Sequence, residues 1–306
     1  MPRAYRVVQV DVFTERPLAG NPLAVVLDAR GLADGEMQAV AREMNLSETT
    51  FVLPATRPDC AARVRIFTPA REVPVAGHPT VGTSWVLATR GLLPAGAGRI
   101  LLEEGIGPVP VTLEGDPAAP RFVWMSHGEA RFGPERSDRP AVARALGLSA
   151  ADLLAGAPIM VGSTGSAFLY VPLRDRAAVD GARLDVSAIL ACLGEAPRVG
   201  VFVFAPDSPA DAEPARAYAR MFAPHTSGVP EDPATGSASG PLGAYLVRHG
   251  LVRSRGAVAR IVSEQGTRMG RQSFVHIEVD SAATAIRVGG AVVPVLEGAL
   301  TLPDAG

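Results

Sequence analysis

Two stretches of the chain repeat one another, and a repeat of this length constrains the fold more than any other feature. Ala76-Gly77-His78-Pro79-Thr80 opens a helix-like run that closes at Gly91-Leu92. Ala234-Thr235-Gly236-Ser237-Ala238 opens a second that closes at Gly250-Leu251, and Gly77 stands as far from Gly91 as Gly236 does from Gly250. Upstream sit Arg65-Ile66-Phe67-Thr68-Pro69 and Arg220-Met221-Phe222-Ala223-Pro224. A helix start rich in small residues presents unbonded backbone N–H groups and the positive end of the helix dipole. Two such starts facing each other would hold a small anionic ligand.

The correspondence extends outward. Asp34 to Met44 has apolar residues at helical spacing, and Asp185 to Leu193 reads likewise, with Asp185 as N-cap and Gly194 as stop. Strand-like runs follow at 50–53 and 201–204, and strands at 109–113 and 274–279 follow the glycine helices. Val81, Trp85, Val86, Leu87 and Ala88 leave almost no polar face on the first glycine helix, which predicts a buried one. The expected fold class is α+β: two similar domains, each a mixed, curled sheet wrapped around a central helix. Gly115 to Pro120 reads as the linker, which sets expected domains of 1–118 and 119–306, with a last strand near 295–306 that can pack back on the first domain.

Composition excludes several function classes. All 29 basic side chains are arginine, so a lysine Schiff base and a Gly-Lys-Ser/Thr phosphate loop are impossible. A net charge of −2 gives no case for nucleic acid or an anionic membrane. No apolar run reaches the length of a membrane span, and the first residues go straight into strand-like alternation, so no signal peptide is expected. Cys60 and Cys192 are too few for a disulfide framework, which fits a cytoplasmic protein. The five histidines are scattered without metal-ligand spacing, and no dinucleotide fingerprint opens a βαβ unit, so neither metal nor cofactor is expected.

The candidate chemistry gathers at the repeat. Glu48 lies between a helix end and an apolar strand, where desolvation can raise a carboxyl pKa toward that of a useful acid/base. A surface glutamate, or one bonded to nearby backbone, satisfies the same spacing. His78 precedes Pro79 at a helix start, a setting that keeps imidazole neutral; a histidine without chemistry fits there too. Asp232 stands before the second glycine helix, as a cap or as an acceptor facing ligand. Ser237, with the backbone N–H groups of Gly77 and Gly236, can grip a carboxylate.

Taken together the motifs resemble the phenazine-biosynthesis PhzF-like isomerase family over nearly the whole chain. The resemblance rests on Asp11-Val12-Phe13-Thr14, Gly20-Asn21-Pro22-Leu23-Ala24-Val25-Val26, Asn45-Leu46-Ser47-Glu48-Thr49-Thr50-Phe51-Val52 and Phe67-Thr68-Pro69. Ala76 to Thr80, Glu231 to Ala238, Gln265-Gly266 and Met269-Gly270-Arg271 complete the set. It implies the diaminopimelate-epimerase-like fold with an active site in the interdomain cleft. It also implies a cofactor-independent isomerase of a dihydro-hydroxyanthranilate-like acid, with Glu48 as acid/base and His78, Asp232 and Ser237 binding substrate. Epimerases and proline racemases of that fold place a cysteine at each helix start, where this chain has Ala76 and Thr235. An epimerase acting on another small acid and a non-catalytic metabolite-binding protein are the alternatives. Symmetry and the resemblance point to a homodimer.

Overall fold

Strand by strand, the chain builds the same mixed sheet twice. The computed structural model describes residues 2–194, 199–224, 230–254, 256–280 and 282–304. It divides into two units, Met1–Ser126 with Gly289–Gly306, and His127–Val288.

The chain begins with β1 (Arg3–Val12), β2 (Asn21–Leu27), α1 (Asp34–Met44), β3 (Glu48–Leu53), β4 (Ala62–Phe67) and β5 (Glu72–Val73). Then follow α2 (Gly77–Thr89), β6 (Arg99–Glu104), β7 (Gly107–Asp116) and β8 (Ala119–His127). The second unit contains β9 (Arg131–Phe132), α3 (Arg139–Ala145), β10 (Met160–Ser163), β11 (Ala167–Pro172), α4 (Arg176–Gly181), α5 (Val186–Leu193) and β12 (Gly200–Pro206). It continues with β13 (Ala215–Phe222), β14 (Glu231–Asp232), α6 (Gly236–Arg248), β15 (Val258–Gln265) and β16 (Ser273–Asp280). The chain passes back to the first unit within β17 (Ile286–Gly290) and ends on β18 (Val292–Leu302).

In the first unit β18 pairs antiparallel with β1, and β1 antiparallel with β2. The ladder then runs parallel from β2 to β3, antiparallel to β4, parallel to β6, and antiparallel to β7 and β8, with β5 on β4. In the second unit β10, β11, β12, β13, β15 and β16 pair in the same alternation, with β14 on β13. Each parallel step needs a crossover. The helix-bearing connections before β3 and β12 supply one kind, and the central helices α2 and α6 supply the other. Residues 117–118, expected within a linker, form the turn of the β7–β8 hairpin, where Gly115 takes φ +99°.

Side chains carry the duplication as well. Arg65 forks onto Glu72 and lies over the Phe67 ring; Arg220 forks onto Glu231 and lies over the Phe222 ring. Both central helices close alike: Leu92 N–H bonds Leu87 C=O and Leu251 N–H bonds Leu246 C=O, each at 2.9 Å, with Gly91 and Gly250 at positive φ. Only glycine adopts that turn at no cost.

The central helices are enclosed. In α2 every residue except Trp85 and Thr89 is buried, with β1, β2, β3, β7 and β18 packed around it. The other face of the first sheet meets α1, where Met37, Val40 and Ala41 pack with Ala24, Val26, Phe51 and Phe67. In the second unit Phe204 meets Tyr245 of α6 edge-on, while its strand neighbours Val201 and Val203 pack with α3 and α5. That alternation is the period-two signature of a strand covered on both faces.

Candidate active site

Local signals place Glu48. Asn45 adopts the left-handed conformation at φ 51° and stops α1, its N–H bonding Ala41 C=O. Three residues later Glu48 opens β3, in parallel register with Leu23 of β2. Its carboxylate is half-buried, with 18% of the side chain exposed, and Oε2 lies 3.5 Å from His78 Nε2.

His78 is the second residue of α2, beyond the N-cap Ala76, and is 3% exposed. Asn21 Nδ2 donates to its Nδ1 at 3.1 Å. The ring proton therefore sits on Nε2, the nitrogen that faces Glu48. Burial pushes the imidazole pKa down to about 3, so the ring is a neutral donor at physiological pH. Nε2 makes no hydrogen bond among the described residues. A neutral N–H aimed at a half-exposed carboxylate from beyond bonding distance can polarise one group of a ligand while the carboxylate handles a proton. The N–H groups of Gly77 and His78 lie in the first turn, where no intrahelical acceptor exists.

In the second unit the corresponding segment is built from side chains of another kind. Asp232 ends β14, is buried, and accepts from Thr235 Oγ1 at 2.6 Å. Thr235 is the N-cap of α6, so Asp232 braces the cap and is not the cap itself. Gln265 fixes both: its Nε2 donates to Asp232 C=O at 2.7 Å and to Thr235 Oγ1 at 3.0 Å, and its Oε1 accepts from Thr235 N–H. Next to it, Gly266 at φ +76° leaves no room for a Cβ, which would lie 2.6 Å from Pro233 O and 2.4 Å from Arg271 O. Gly236 and Ser237 begin α6, and Ser237 is half-buried with no side-chain hydrogen bond among the described residues. Pro241, inside the helix, removes the N–H that would otherwise bond the Ser237 carbonyl.

Thus Glu48, Gly77 and His78 assemble within the first unit, and Asp232, Gly236 and Ser237 within the second. Asn21 and Gln265 were visible in the motifs but carried no role, because a side-chain amide advertises its partner only after folding. Neither cysteine lies at a helix start of the repeat. Cys60 lies in the loop after β3 and Cys192 in α5, both half-buried, and burial raises both thiols above their usual value. A raised thiol holds less of the thiolate that proton abstraction needs.

The profile of the PhzC-PhzF family, described as phenazine biosynthesis-like protein, matches residues 10–298. Trans-2,3-dihydro-3-hydroxyanthranilate isomerase of Pseudomonas aeruginosa is 37% identical, covering 94% of this chain and 95% of that protein. A protein of Clostridium acetobutylicum named as an uncharacterized isomerase is 33% identical over 99% of this chain and 100% of its own. The crystal structure of a Bacillus anthracis phenazine biosynthesis protein of the PhzF family superposes with a TM-score of 0.87 at 29% identity, covering 97% of this chain and 99% of that one.

Proposed function

The chain belongs to the phenazine biosynthesis-like PhzC-PhzF family, whose relatives are named isomerases, and from that premise we propose that it is a cofactor-independent isomerase of a small carboxylate-bearing substrate. The observation that carries this reading is the Glu48 carboxylate 3.5 Å from the Nε2 of a neutral, buried His78 at a helix start.

In the proposed reaction Glu48 takes a proton from one carbon of an allylic system. The C–H electron pair shifts the double bond, and the same carboxyl delivers a proton to another carbon, so the substrate is isomerised without net gain or loss. His78 Nε2–H donates to a polar substituent that gains charge as the proton leaves. The first-turn N–H groups at Gly77 receive an anionic group. Asp232, Gly236 and Ser237 are assigned to substrate binding, with Ser237 supplying a hydroxyl and an unbonded backbone N–H. Ala76 and Thr235 at the two N-caps weigh against a two-thiol racemase, as do the raised thiols of Cys60 and Cys192.

The substrate proposed is trans-2,3-dihydro-3-hydroxyanthranilate, the compound in the name of the Pseudomonas relative. Incubating the protein with that compound in deuterated buffer, with absorbance and mass readouts, tests the reading. Turnover is expected, with deuterium on carbon in the product to the extent that the Glu48 carboxyl exchanges with solvent before it delivers the proton. A Glu48→Gln variant that folds normally should lose about 10²–10⁴-fold in rate. Tight binding of the acid without turnover by wild-type protein would instead identify a metabolite-binding protein.

A further inference from the structure

At the end of β6, beneath the start of α2, Glu104 is buried with no charged partner among the described residues. Its Oε1 lies 2.6 Å from Thr80 Oγ1, and Thr80 Oγ1 lies 2.7 Å from the carbonyl oxygen of Ala76, the N-cap of α2. A hydroxyl owns one proton. The Ala76 carbonyl, which also accepts from the Thr80 N–H at 3.2 Å, has none to give, so both short contacts can be filled at once only with the Thr80 proton directed to Ala76. The short contact to Glu104 is then satisfied only by a proton on the carboxyl, donated to Thr80 Oγ1.

The second unit carries the neutral counterpart of this arrangement. By strand order β6 corresponds to β15, and Glu104-Gly105 to Gln265-Gly266. Gln265 uses an amide, which has no charge to gain, to grip Thr235 and Asp232 at the start of α6. Both following glycines sit against the segment that leads into the helix: a Cβ on Gly105 would lie 2.8 Å from Pro74 Cα, and one on Gly266 2.6 Å from Pro233 O.

We infer that Glu104 is a positioning residue held as a neutral carboxylic acid, whose proton completes a Glu104–Thr80–Ala76 clamp that sets the start of α2 and with it Gly77 and His78. Its ionisation is a release built into the fold. A carboxylate would face Thr80 with a second acceptor, and the hydroxyl could then satisfy only one of the two. Burial pushes the Glu104 pKa up to about 8, within reach of mildly alkaline conditions. Among the described residues no ion pair competes for it. Across β4, Arg63 lies in register with Glu103, and Arg65 is taken by Glu72 of β5 and by Asp34. Glu103 itself accepts from Thr56 and Arg57. On α2, His78 is neutral, and the near end of β7 carries no titratable side chain.

The functional weight of the clamp rests on His78 belonging to the active site, but its test does not read turnover. Protein labelled with ¹³C-carboxyl glutamate and ¹⁵N-glycine and -histidine is titrated from pH 5 to 10 by NMR. One glutamate carboxyl should stay protonated through neutral pH, titrate near pH 8, and vanish in Glu104→Gln. The Gly77 and His78 amides should shift with the same midpoint in wild type and stay constant in Glu104→Gln, which keeps a neutral donor. In Thr80→Val the carboxyl should still titrate high, because burial remains, while the two amides no longer follow it. Glutamates all ionised by pH 6 would overturn the proposal. So would a high-pH signal that survives Glu104→Gln, or amides that track it equally in Thr80→Val.

Discussion

Replacing Arg220 by lysine keeps the positive charge and removes the fork. In the folded protein Nε and Nη2 of Arg220 hold the two carboxylate oxygens of Glu231 at 2.8 and 2.9 Å. Its Nη1 reaches the carbonyls of Val179, Asp180 and Ala182 at the end of α4, at 3.1, 3.3 and 2.9 Å. The side chain is 11% exposed and that of Glu231 20%. A lysine ammonium is a single point on a flexible stem, so it can serve the carboxylate or the carbonyls but not both. Hydrogen bonds to charged groups contribute about 1.5–3 kcal/mol each, and buried acceptors left without donors cost about 1–3 kcal/mol. With part of the network recovered by the ammonium, Arg220→Lys should cost about 3 kcal/mol. Arg65 is the built-in control, because it makes the same fork to Glu72 and the same stacking on a phenylalanine. Its partners, however, are exposed, Glu72 at 43% and Asp34 at 83%, so Arg65→Lys should cost no more than about 1 kcal/mol. The difference of about 2 kcal/mol is roughly thirtyfold in the unfolding equilibrium, which urea denaturation at neutral pH resolves as a shift in midpoint. Equal losses in the two variants, or a larger one for Arg65→Lys, would refute the argument that carbonyl anchoring separates the repeats.

Glu48→Gln should leave the urea midpoint within about 0.5 kcal/mol of wild type while slowing turnover about 10²–10⁴-fold, because the carboxylate is only half-buried and the amide matches it in shape. For His78 the folded value near 3 lies below the ordinary 6.5, so the folded state binds fewer protons than the unfolded chain between those limits. Its contribution to stability is fully present above pH 6.5 and declines as the pH falls toward 3, by about 1.4 kcal/mol per pH unit. Denaturation midpoints measured from pH 7 to 4 should show that slope, and His78→Gln should remove it. Gly266→Ala combines a positive φ with overlap against two backbone oxygens that have no room to move, and should cost about 3 kcal/mol; a midpoint at or above wild type in thermal unfolding would contradict the close approach.

Much of the framework was legible because its causes are local. Helix α1 covers Asp34 to Met44, and Asp185 caps α5 by accepting from Ala188 N–H, since caps and apolar spacing act within a turn or two. The glycine closures at Gly91 and Gly250 follow from a conformation that few other residues adopt. Where a local signal has two meanings, only the fold selects between them. Gly115 to Pro120 carries the composition of a linker, but glycine and proline mark a hairpin turn equally well, and only the pairing of β7 with β8 distinguishes them. Glu104-Gly105 leads into the turn between β6 and β7, but the burial of Glu104 under α2 comes from a helix more than a dozen residues away.

The amino-acid sequence alone determined that the protein is a doubled α+β chain with a small-residue helix start in each half, no lysine chemistry, and no cysteine at either N-cap. Those properties belong to residue identity and spacing, which exist before folding. Only the tertiary structure decided that the Asn21 amide sets the proton of His78 toward Glu48, and that a threonine hydroxyl with one proton stands between Glu104 and a carbonyl. Hydrogen-bond partners, burial and protonation depend on distances between segments that the linear chain keeps apart, so the chemistry of these groups arises when the sheet closes around the helix.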